Sequence, residues 1–186
     1  MLIETLILSL IVSLLCGGEL NRLGELALRQ FWFVPMAFLL QGVVYWASLR
    51  HSGLVPGQLC SLLDTGSYFL LLIFTLRNRS LKGIWLIAGG VFLNTLVIAL
   101  NGGVMPVDPL FLPETSRKAL LAGQGTHGLM TAATHLKILA DRFYLAVPGL
   151  QKQVFSIGDC LIDIGCFTLI FKTTRRSANK QEKQTA

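Results

Sequence analysis

Charged side chains are scarce in this sequence. Asp, Glu, Lys and Arg make up only 14% of the 186 residues, while apolar residues make up 53%. Soluble domains carry about 25% charged residues, so this composition excludes an ordinary water-soluble fold. The apolar residues also come in uninterrupted runs of about 17 to 20, the length that a helix needs to cross a hydrocarbon core about 30 Å thick. The sequence therefore predicts an integral membrane protein.

Basic residues are missing before the first apolar run, and motifs for metal binding are missing throughout. A cleaved signal peptide begins with a basic segment, so we interpret the first run as a retained helix. The cysteines show no C-x-x-C or C-x-x-H spacing and are predicted to be small apolar packing residues. They are Cys16, Cys60, Cys160 and Cys166. The histidines His51, His127 and His135 lack ligand spacing and are interpreted as exposed or interfacial. We therefore expect no metal and no cofactor.

Five apolar runs predict the fold class, an all-α integral membrane protein with five transmembrane helices. The runs are Leu2–Cys16, Phe31–Leu49, Gln58–Leu76, Ile84–Leu100 and Val154–Phe171. Helices are favoured over a β-barrel because the runs are continuous, whereas barrel strands alternate in segments of about ten residues. Residues 1–172 are predicted to form a single transmembrane domain, and 173–186 a disordered basic cytoplasmic tail.

Basic residues divide unevenly between the two ends of the predicted helices. Residues 17–30, residues 77–83 and residues 172–186 hold 10 of the 16 Lys and Arg residues and lie at the same end. Short cytoplasmic segments retain basic residues, so we expect the N-terminus outside the cell and the C-terminus inside. The net charge of +6 is then explained by this topology and by anionic lipid headgroups, and no nucleic-acid partner is expected.

The loop 101–153 is long enough to have structure of its own, and this topology places it outside. Asn101-Gly-Gly-Val-Met-Pro-Val-Asp-Pro opens it, and its paired glycines and two prolines end the fourth helix sharply. Thr115 or Ser116 is predicted to cap a short helix through Leu121. A second helix is predicted over Thr126–Phe143, lying in the membrane interface.

Polar residues inside the predicted spans are the candidate functional residues, because an Asp at mid-helix costs roughly 2.5 to 3.5 kcal/mol on insertion scales. They are Glu4, Gln41, Asp64, Asn94, Asn101, Asp159 and Asp163. All except Gln41 fall in the outer half. Five are predicted to form an outward-facing polar cluster, which comprises Asn94, Asn101, Asp64, Asp159 and Asp163. Asp159 and Asp163 are four residues apart and share a helix face, so their charges would repel or attract a cation.

Structural roles are the alternative for the same residues. Asn94 and Gln41 are of the type that joins helices by hydrogen bonds without further function. Asp64 lies near a span end, where it can cap the helix or reach water. Asp159 follows Ser156-Ile157-Gly158 and can serve as a helix cap or as part of a site.

Several motifs together resemble a bacterial membrane family, the domain of unknown function 5317. They are Gly17-Gly-Glu-Leu, Asn101-Gly-Gly-Val-Met-Pro-Val, Leu139-Ala-Asp-Arg, and Val154-Phe-Ser-Ile-Gly-Asp with Gly165. The resemblance covers residues 2–171 and implies a small multi-spanning protein of the bacterial cytoplasmic membrane, with no assigned activity. The family pattern is expected to carry a Gly-Asp pair followed by an apolar residue where this chain has Ala140-Asp141-Arg142, so the resemblance assigns no role to Asp141.

A fainter likeness is to lipoprotein signal peptidase, an intramembrane aspartic protease. Asn101-Gly102-Gly103, Asp141-Arg142 and Phe155-Ser-Ile-Gly-Asp159 follow its motifs in order. The likeness implies Asp141 and Asp159 as a catalytic pair that shares a proton and activates water. His135 and Lys137 precede Asp141 in a segment that does not have the pattern of a membrane span, and Ser156 and Gly158 replace the expected Asn and Ala.

Three functional hypotheses follow. The favoured one is a non-catalytic membrane component, an assembly partner or scaffold, in contact with the lipid bilayer and with a membrane protein partner or a second copy of itself. An intramembrane aspartic hydrolase would use Asp141 and Asp159. An oligomeric small transporter or cation-binding protein would use Asp64, Asp159 and Asp163 with the two asparagines. The separation of the Asp141 and Asp159 carboxyl groups distinguishes the second hypothesis from the others.

Overall fold

The computed structural model of the protein describes residues 2–50, 57–146 and 152–175. The helices are α1 (Leu2–Leu15), α2 (Asn21–Gly24), α3 (Phe33–Arg50), α4 (Gly57–Arg77), α5 (Ile84–Leu100), α6 (Glu114–Leu121) and α7 (Ile157–Thr174). A 3-10 helix covers Pro109–Phe111, and the strands are β1 (Met105–Val107), β2 (His127–Leu129), β3 (Phe143–Leu145) and β4 (Gln153–Phe155). His51 and the tail from residue 176 lie outside the described residues.

Five long helices form the body of the protein, and they coincide with the five predicted apolar runs. α5 has the predicted bounds, and the other four agree to within three residues at each end. α5 packs most extensively against α7, which also contacts α1, while α4 lies between α5 and α3. The order across the bundle is therefore α1, α7, α5, α4 and α3.

The five helices differ in whether they are long enough to cross a membrane. One of them, over Gln58–Arg77 in α4, is long and apolar enough to cross a membrane by length and composition. Three other helices are equally apolar in character but shorter, over Leu2–Leu15, Phe33–Leu49 and Ile84–Leu100. The structure therefore shows a mostly helical protein with at least one helix suited to a bilayer.

One end of the bundle, which we call the basic end, gathers the loops 17–30 and 77–83 and the C-terminal turn of α7. The Glu19 N–H donates to the Thr174 carbonyl (3.0 Å). The Arg29 N–H donates to Asn78 Oδ1 (2.8 Å), and Asn78 Nδ2 donates back to the Arg29 carbonyl (2.9 Å). Three segments that were predicted to share one side of the membrane therefore lie together.

The other end carries a small domain that we call the cap, residues 101–146 and 152–156. β1 and β2 form a parallel pair, and β3 and β4 an antiparallel pair. Gly102 and Gly103 adopt positive φ angles of 72° and 81°, which let the chain leave α5 and enter β1 at once. Asp108 caps the 3-10 helix by accepting from the Leu110 N–H (2.9 Å). The cap thus covers the bundle end where α5 finishes and α7 starts.

The predicted helix over Thr126–Phe143 is wrong. His127–Leu129 pairs with β1 instead, Leu136 adopts a positive φ of 52°, and Phe143–Leu145 forms β3. Tertiary pairing with β1 overrides a weak local preference, since Thr and Gly are poor helix formers. The short helix ending at Leu121 is confirmed, although its N-cap is Pro113 and not Thr115 or Ser116.

Glycines bring α5 and α7 into close contact. Gly83 lies against Gly165, and Gly90 lies against Gly158. The two glycines at α5 and the two on α7 are each seven residues apart. A Cβ atom on Gly165 would lie 2.6 Å from Ile87 Cγ1, closer than real Cβ atoms approach. Small residues of this kind let helix backbones touch directly, which is common in membrane helices.

Side chains are distributed in the reverse of the usual order for a soluble protein. Ser9, Ser13 and Ser67 are completely buried in the bundle, and Asp64 is 2% exposed. Large apolar side chains cover the outside of the helices instead. They include Ile3, Leu15, Leu39, Leu62, Trp85, Phe92 and Ile164, each more than half exposed.

Candidate functional site

Asp141 is held inside the cap by its backbone. Its N–H donates to the Pro106 carbonyl (3.0 Å), and its carbonyl accepts from the Asp108 N–H (2.8 Å). Asp141 and Val107 therefore form an isolated parallel bridge at the edge of β1. The Asp141 side chain is only 7% exposed. The strand pairing thus fixes a carboxyl group in the interior of the cap.

His127 faces Asp141 across β1. His127 pairs with Met105, and Asp141 pairs with Val107, two residues further along the strand. Alternate residues of a strand share a face, so His127 and Asp141 lie on the same face of the sheet. His127 Nε2 is 3.5 Å from Asp141 Oδ2, longer than an ordinary N–H···O hydrogen bond. The two groups are neighbours but are not fully hydrogen-bonded.

Both groups favour their neutral forms. Burial and, to a smaller extent, the nearby Asp159 charge together raise the pKa of Asp141 to about 8. The His127 side chain is only half buried; this partial burial lowers its pKa, while the Asp159 charge acts in the opposite direction. At neutral pH a protonated carboxyl group therefore faces a neutral imidazole, and the pair is not a salt bridge. Asp141 Oδ1 is buried and has no hydrogen-bond partner within the described part of the chain.

Asp159 stands in the first turn of α7, where its carboxylate is fully hydrogen-bonded. Ser156 is the N-cap, and the two residues form a capping box: the Asp159 N–H donates to Ser156 Oγ (3.0 Å), and the Ser156 N–H donates to Asp159 Oδ2 (2.9 Å). Asn94 Nδ2 donates to Asp159 Oδ1 (2.9 Å). The Ser156 hydroxyl hydrogen is shared between Asp159 Oδ2 (2.8 Å) and Asn94 Oδ1 (3.1 Å). Both carboxylate oxygens therefore have donors.

Tyr68 on α4 lies near Asp141 and Asp159. Its ring packs against an apolar cluster of Val97, Ile98, Met105 and Ala140. Ala140 directly precedes Asp141 in the chain. The carboxyl groups of Asp64, Asp141 and Asp159 all lie near enough for their charges to act on the Tyr68 hydroxyl. The charges of three acidic residues, from α4, the cap and α7, thus act on one tyrosine below the cap.

Comparison with known proteins matches the sequence of the chain to a family. The model of DUF5317, described as a family of unknown function, matches residues 25–171. The chain belongs to this family. An uncharacterized protein of Thermotoga maritima is 30% identical over 168 residues, which is 90% of this chain and 88% of that protein. No solved structure matches the chain. The resemblance to DUF5317 is confirmed, whereas the likeness to lipoprotein signal peptidase stays a prediction.

In this DUF5317 protein the cap also encloses a cleft. The cleft has a volume of about 840 Å³, within the range of small-molecule sites. Its walls are mostly apolar and aromatic, and Asp141 and His127 provide polar groups at its surface. Gly125 closes one side, because its N–H donates to Ser48 Oγ (2.7 Å) and its backbone lies against the Tyr45 ring. The end of α3 is thereby attached to the cap.

The other predicted site residues have separate partners. Asp163 accepts from the Thr5 hydroxyl (2.8 Å) and joins α7 to α1. Asn101 Nδ2 donates to the His135 carbonyl (3.1 Å), and its Oδ1 accepts from the His135 N–H (2.9 Å), which anchors the cap loop to α5. Gln41 donates to Ser67 Oγ (2.9 Å), as expected of a residue that joins helices. The structure thus brings Asn94 and Asp159 together, while Asp159 and Asp163 contact different helices.

Three residues of this region were not identified as site residues from the sequence. His127 was interpreted as exposed or interfacial, and half of its imidazole is in fact exposed. Tyr68 has no sequence signal, since an aromatic residue in an apolar run is ordinary. Ser156 did have a sequence signal, because a Ser three residues before an acidic residue at the start of an apolar run is the pattern of a capping box.

Proposed function

We propose that this protein is a multi-spanning component of the bacterial cytoplasmic membrane that acts without catalysis, as an assembly partner or scaffold. The distribution of side chains supports this proposal most strongly. Exposed Leu15 and Leu62 would each be costly in water, at about 25 cal/mol per Å² of apolar surface, but not in hydrocarbon. Buried Ser, Asn and Asp side chains are the usual means of joining helices in a bilayer.

The short helices fit a bilayer with local adjustment. At 1.5 Å per residue, the 14 residues of α1 extend over about 21 Å, less than the hydrocarbon thickness of about 30 Å. Bilayers thin around short helices at a cost of a fraction of a kcal/mol per Å. α1 also lies at the side of the bundle, where it contacts α7 and where lipid can adapt to it.

The orientation follows from the basic end. Seven Lys and Arg residues of the described chain lie there, on the loops 17–30 and 77–83 and the last turn of α7: Arg22, Arg29, Arg77, Arg79, Lys82, Lys172 and Arg175. Basic residues remain in the cytoplasm during insertion. We propose that the basic end faces the cytoplasm and that the N-terminus and the cap face outward.

Reporter fusions test this topology. Alkaline phosphatase inserted after Gly123, in a turn of the cap, is expected to be active, and green fluorescent protein fused after Ala186 is expected to fluoresce. The reverse pair of fusions, with phosphatase at the C-terminus and the fluorescent protein in the cap, serves as the control and is expected to be silent. An active phosphatase at the C-terminus would show that the orientation is wrong.

The hydrogen bonds of Asp159 support a non-catalytic role. A catalytic pair of aspartates needs both carboxyl groups free to contact one water molecule. Asp159 is committed on both oxygens to Ser156 and Asn94, which hold the start of α7 against α5. Asp159 is therefore a structural residue in this proposal, and Asn94 is its partner.

Replacing Asp159 with Asn tests this role. The amide cannot accept from both sides as the carboxylate does, so we expect a loss of about 1 to 2 kcal/mol in the free energy of unfolding. Thermal unfolding in detergent measures the loss, and Asn94→Ala should produce a similar one. The double variant should lose less than the two single losses together, because both remove the same contact. Unchanged stability in Asp159→Asn would contradict the structural role.

An aspartic hydrolase is the second candidate, and one observation favours it. Asp141 is kept protonated by burial and by the Asp159 charge, the state required of the acid in such a pair. Full-length protein in proteoliposomes can be incubated with extracted envelope proteins and lipids, and the products identified by mass spectrometry. A cleavage product made by the wild type and lost in both Asp141→Asn and Asp159→Asn would replace the non-catalytic proposal with this one.

A further inference from the structure

The cleft of the cap contains an incomplete polar contact. Asp141 lines the cleft, its side chain is 93% buried, and its Oδ1 atom has no hydrogen-bond partner among the described residues. The N–H and the carbonyl of Asp141 are both hydrogen-bonded to the strand beside it, which fixes the backbone that carries the carboxyl group. A buried acceptor without a donor is costly, and such groups are usually satisfied by a water molecule or a ligand.

We propose that this cleft binds an organic amine with an apolar body, and that Asp141 is its counter-ion. The ammonium group would donate to the Asp141 carboxyl group, which lines the cleft and has one oxygen, Oδ1, without a partner among the described residues. The apolar body would lie against Val107, Phe111, Leu120 and Val154, which line the same cleft. The proposal goes beyond the proposed function and does not depend on the topology, so it stands whichever end of the bundle faces the cytoplasm.

Charges around the cleft favour a cation over an anion. Asp159 is close enough for its charge to act on Asp141, and the Asp64, Asp141 and Asp159 charges all act on Tyr68 beneath the cap. An anion at Asp141 would be repelled by these carboxylates, whereas a cation would relieve the repulsion between them. Lys152 also lines the cleft, but it is exposed to water.

Aromatic rings provide a second feature that suits an ammonium group. Tyr45, Phe111 and Tyr144 line the cleft, and the Phe111 and Tyr144 rings stack with their centroids 5.4 Å apart. Ring faces attract cations, most strongly where water is excluded. An alkyl chain without a charge would gain nothing from Asp141. An inorganic cation would gain nothing from the apolar walls.

Binding of an amine requires Asp141 to lose its proton. Among the described residues, the titratable groups that lie near Asp141 or line the same cleft are His127 on β2, Tyr68 on α4, Asp159 on α7, Tyr144 on β3, Tyr45 on α3 and Lys152 before β4. With a pKa of about 8, Asp141 is about nine-tenths protonated at pH 7 and about one-tenth protonated at pH 9. An alkylamine, with a pKa of about 10, stays charged over this range. One proton should therefore leave for each amine bound at pH 7.

Titration calorimetry of the full-length protein in nanodiscs tests the proposal with hexylamine, hexanol and hexanoate as probes. Hexylamine should bind at least tenfold more tightly than hexanol, and hexanoate more weakly than both. Comparison of buffers with different ionisation enthalpies should show release of about 0.9 proton per hexylamine at pH 7 and about 0.1 at pH 9. Empty nanodiscs give the contribution from lipid partitioning.

Asp141→Asn is the test variant and Glu114→Gln the control. Both remove one carboxylate from the cap, but Glu114 is on the surface of α6 and does not line the cleft. We expect Asp141→Asn to weaken hexylamine binding at least tenfold and to abolish proton release, and Glu114→Gln to change neither. Equal binding of hexylamine and hexanol, or proton uptake on binding, would overturn the proposal, and tighter binding of hexanoate would show an anion site instead.

Discussion

Gly158→Ala is expected to destabilise the protein by about 3 kcal/mol or more. The new Cβ atom would overlap Asn94 Oδ1 and lie 2.7 Å from Asn94 Cγ and 2.9 Å from the Gly90 carbonyl oxygen. α5 and α7 would have to separate, and the Asn94 hydrogen bonds to Asp159 and Ser156 would be lost with them. In a chain of this size the unfolding temperature should fall by roughly 6 to 12 °C.

Gly89→Ala is the matched control, since Gly89 neighbours Gly90 on α5. A Cβ atom there would meet only Leu161 Cδ1 at 3.9 Å, an ordinary van der Waals distance. Both substitutions replace a helical glycine with alanine and so gain the same helix preference of up to about 1 kcal/mol. Thermal unfolding in the same detergent compares them. If Gly158→Ala unfolds at the same temperature as Gly89→Ala, the close contact of α5 and α7 does not exist in the protein.

Asp141→Asn is expected to stabilise the protein at alkaline pH. The pKa of Asp141 is about 8 in the folded state and 3.8 in the unfolded chain, so folding takes up a proton between these values. The wild type should therefore lose stability as the pH rises from about 4 to about 8, by on the order of 5 kcal/mol. Asn is neutral at every pH and should remove this loss.

Unfolding temperatures of the two proteins between pH 5 and pH 9 give the comparison. The difference in favour of Asp141→Asn should grow as the pH rises and should level off above pH 8. The lowered pKa of His127 reduces the free energy of unfolding as the pH falls. This reduction is the same in both proteins, so it cancels in the difference between them. Glu114→Gln should follow the wild type. A difference that stays constant with pH would mean that Asp141 is ionised in the folded protein.

The helical bundle could be predicted from the sequence because each helix is an apolar run between polar breaks. α5 begins after Gly83 and ends before Asn101, two signals that are local in the chain. The start of α7 was predicted three residues too early. Val154 and Phe155 continue the apolar run of α7, but they belong to Gln153–Phe155, which pairs with β3. Strand pairing depends on a partner ten residues away, which an apolar run does not reveal.

The candidate site was predictable only in part. The polar residues Asn94 and Asp159 were identified because they are costly in a bilayer, and they do contact each other. The proximity of Asp141 and His127 was not predicted, because it depends on β1 lying between them. Strands of three residues leave almost no alternation of apolar and polar residues to detect. The role of Asp141 comes from its burial and not from its neighbours in sequence.

The packing of α1 has a consequence for how the chain is assembled during synthesis. α1 is translated well before α7, yet its main contact is with α7, in part through Thr5 and Asp163. α1 therefore remains without this partner while about 150 residues are made, and the serines that it buries in the finished protein stay uncovered. Closure of the bundle is a late event, and a ribosome that stalls before α7 leaves an open bundle for quality-control proteases to recognise.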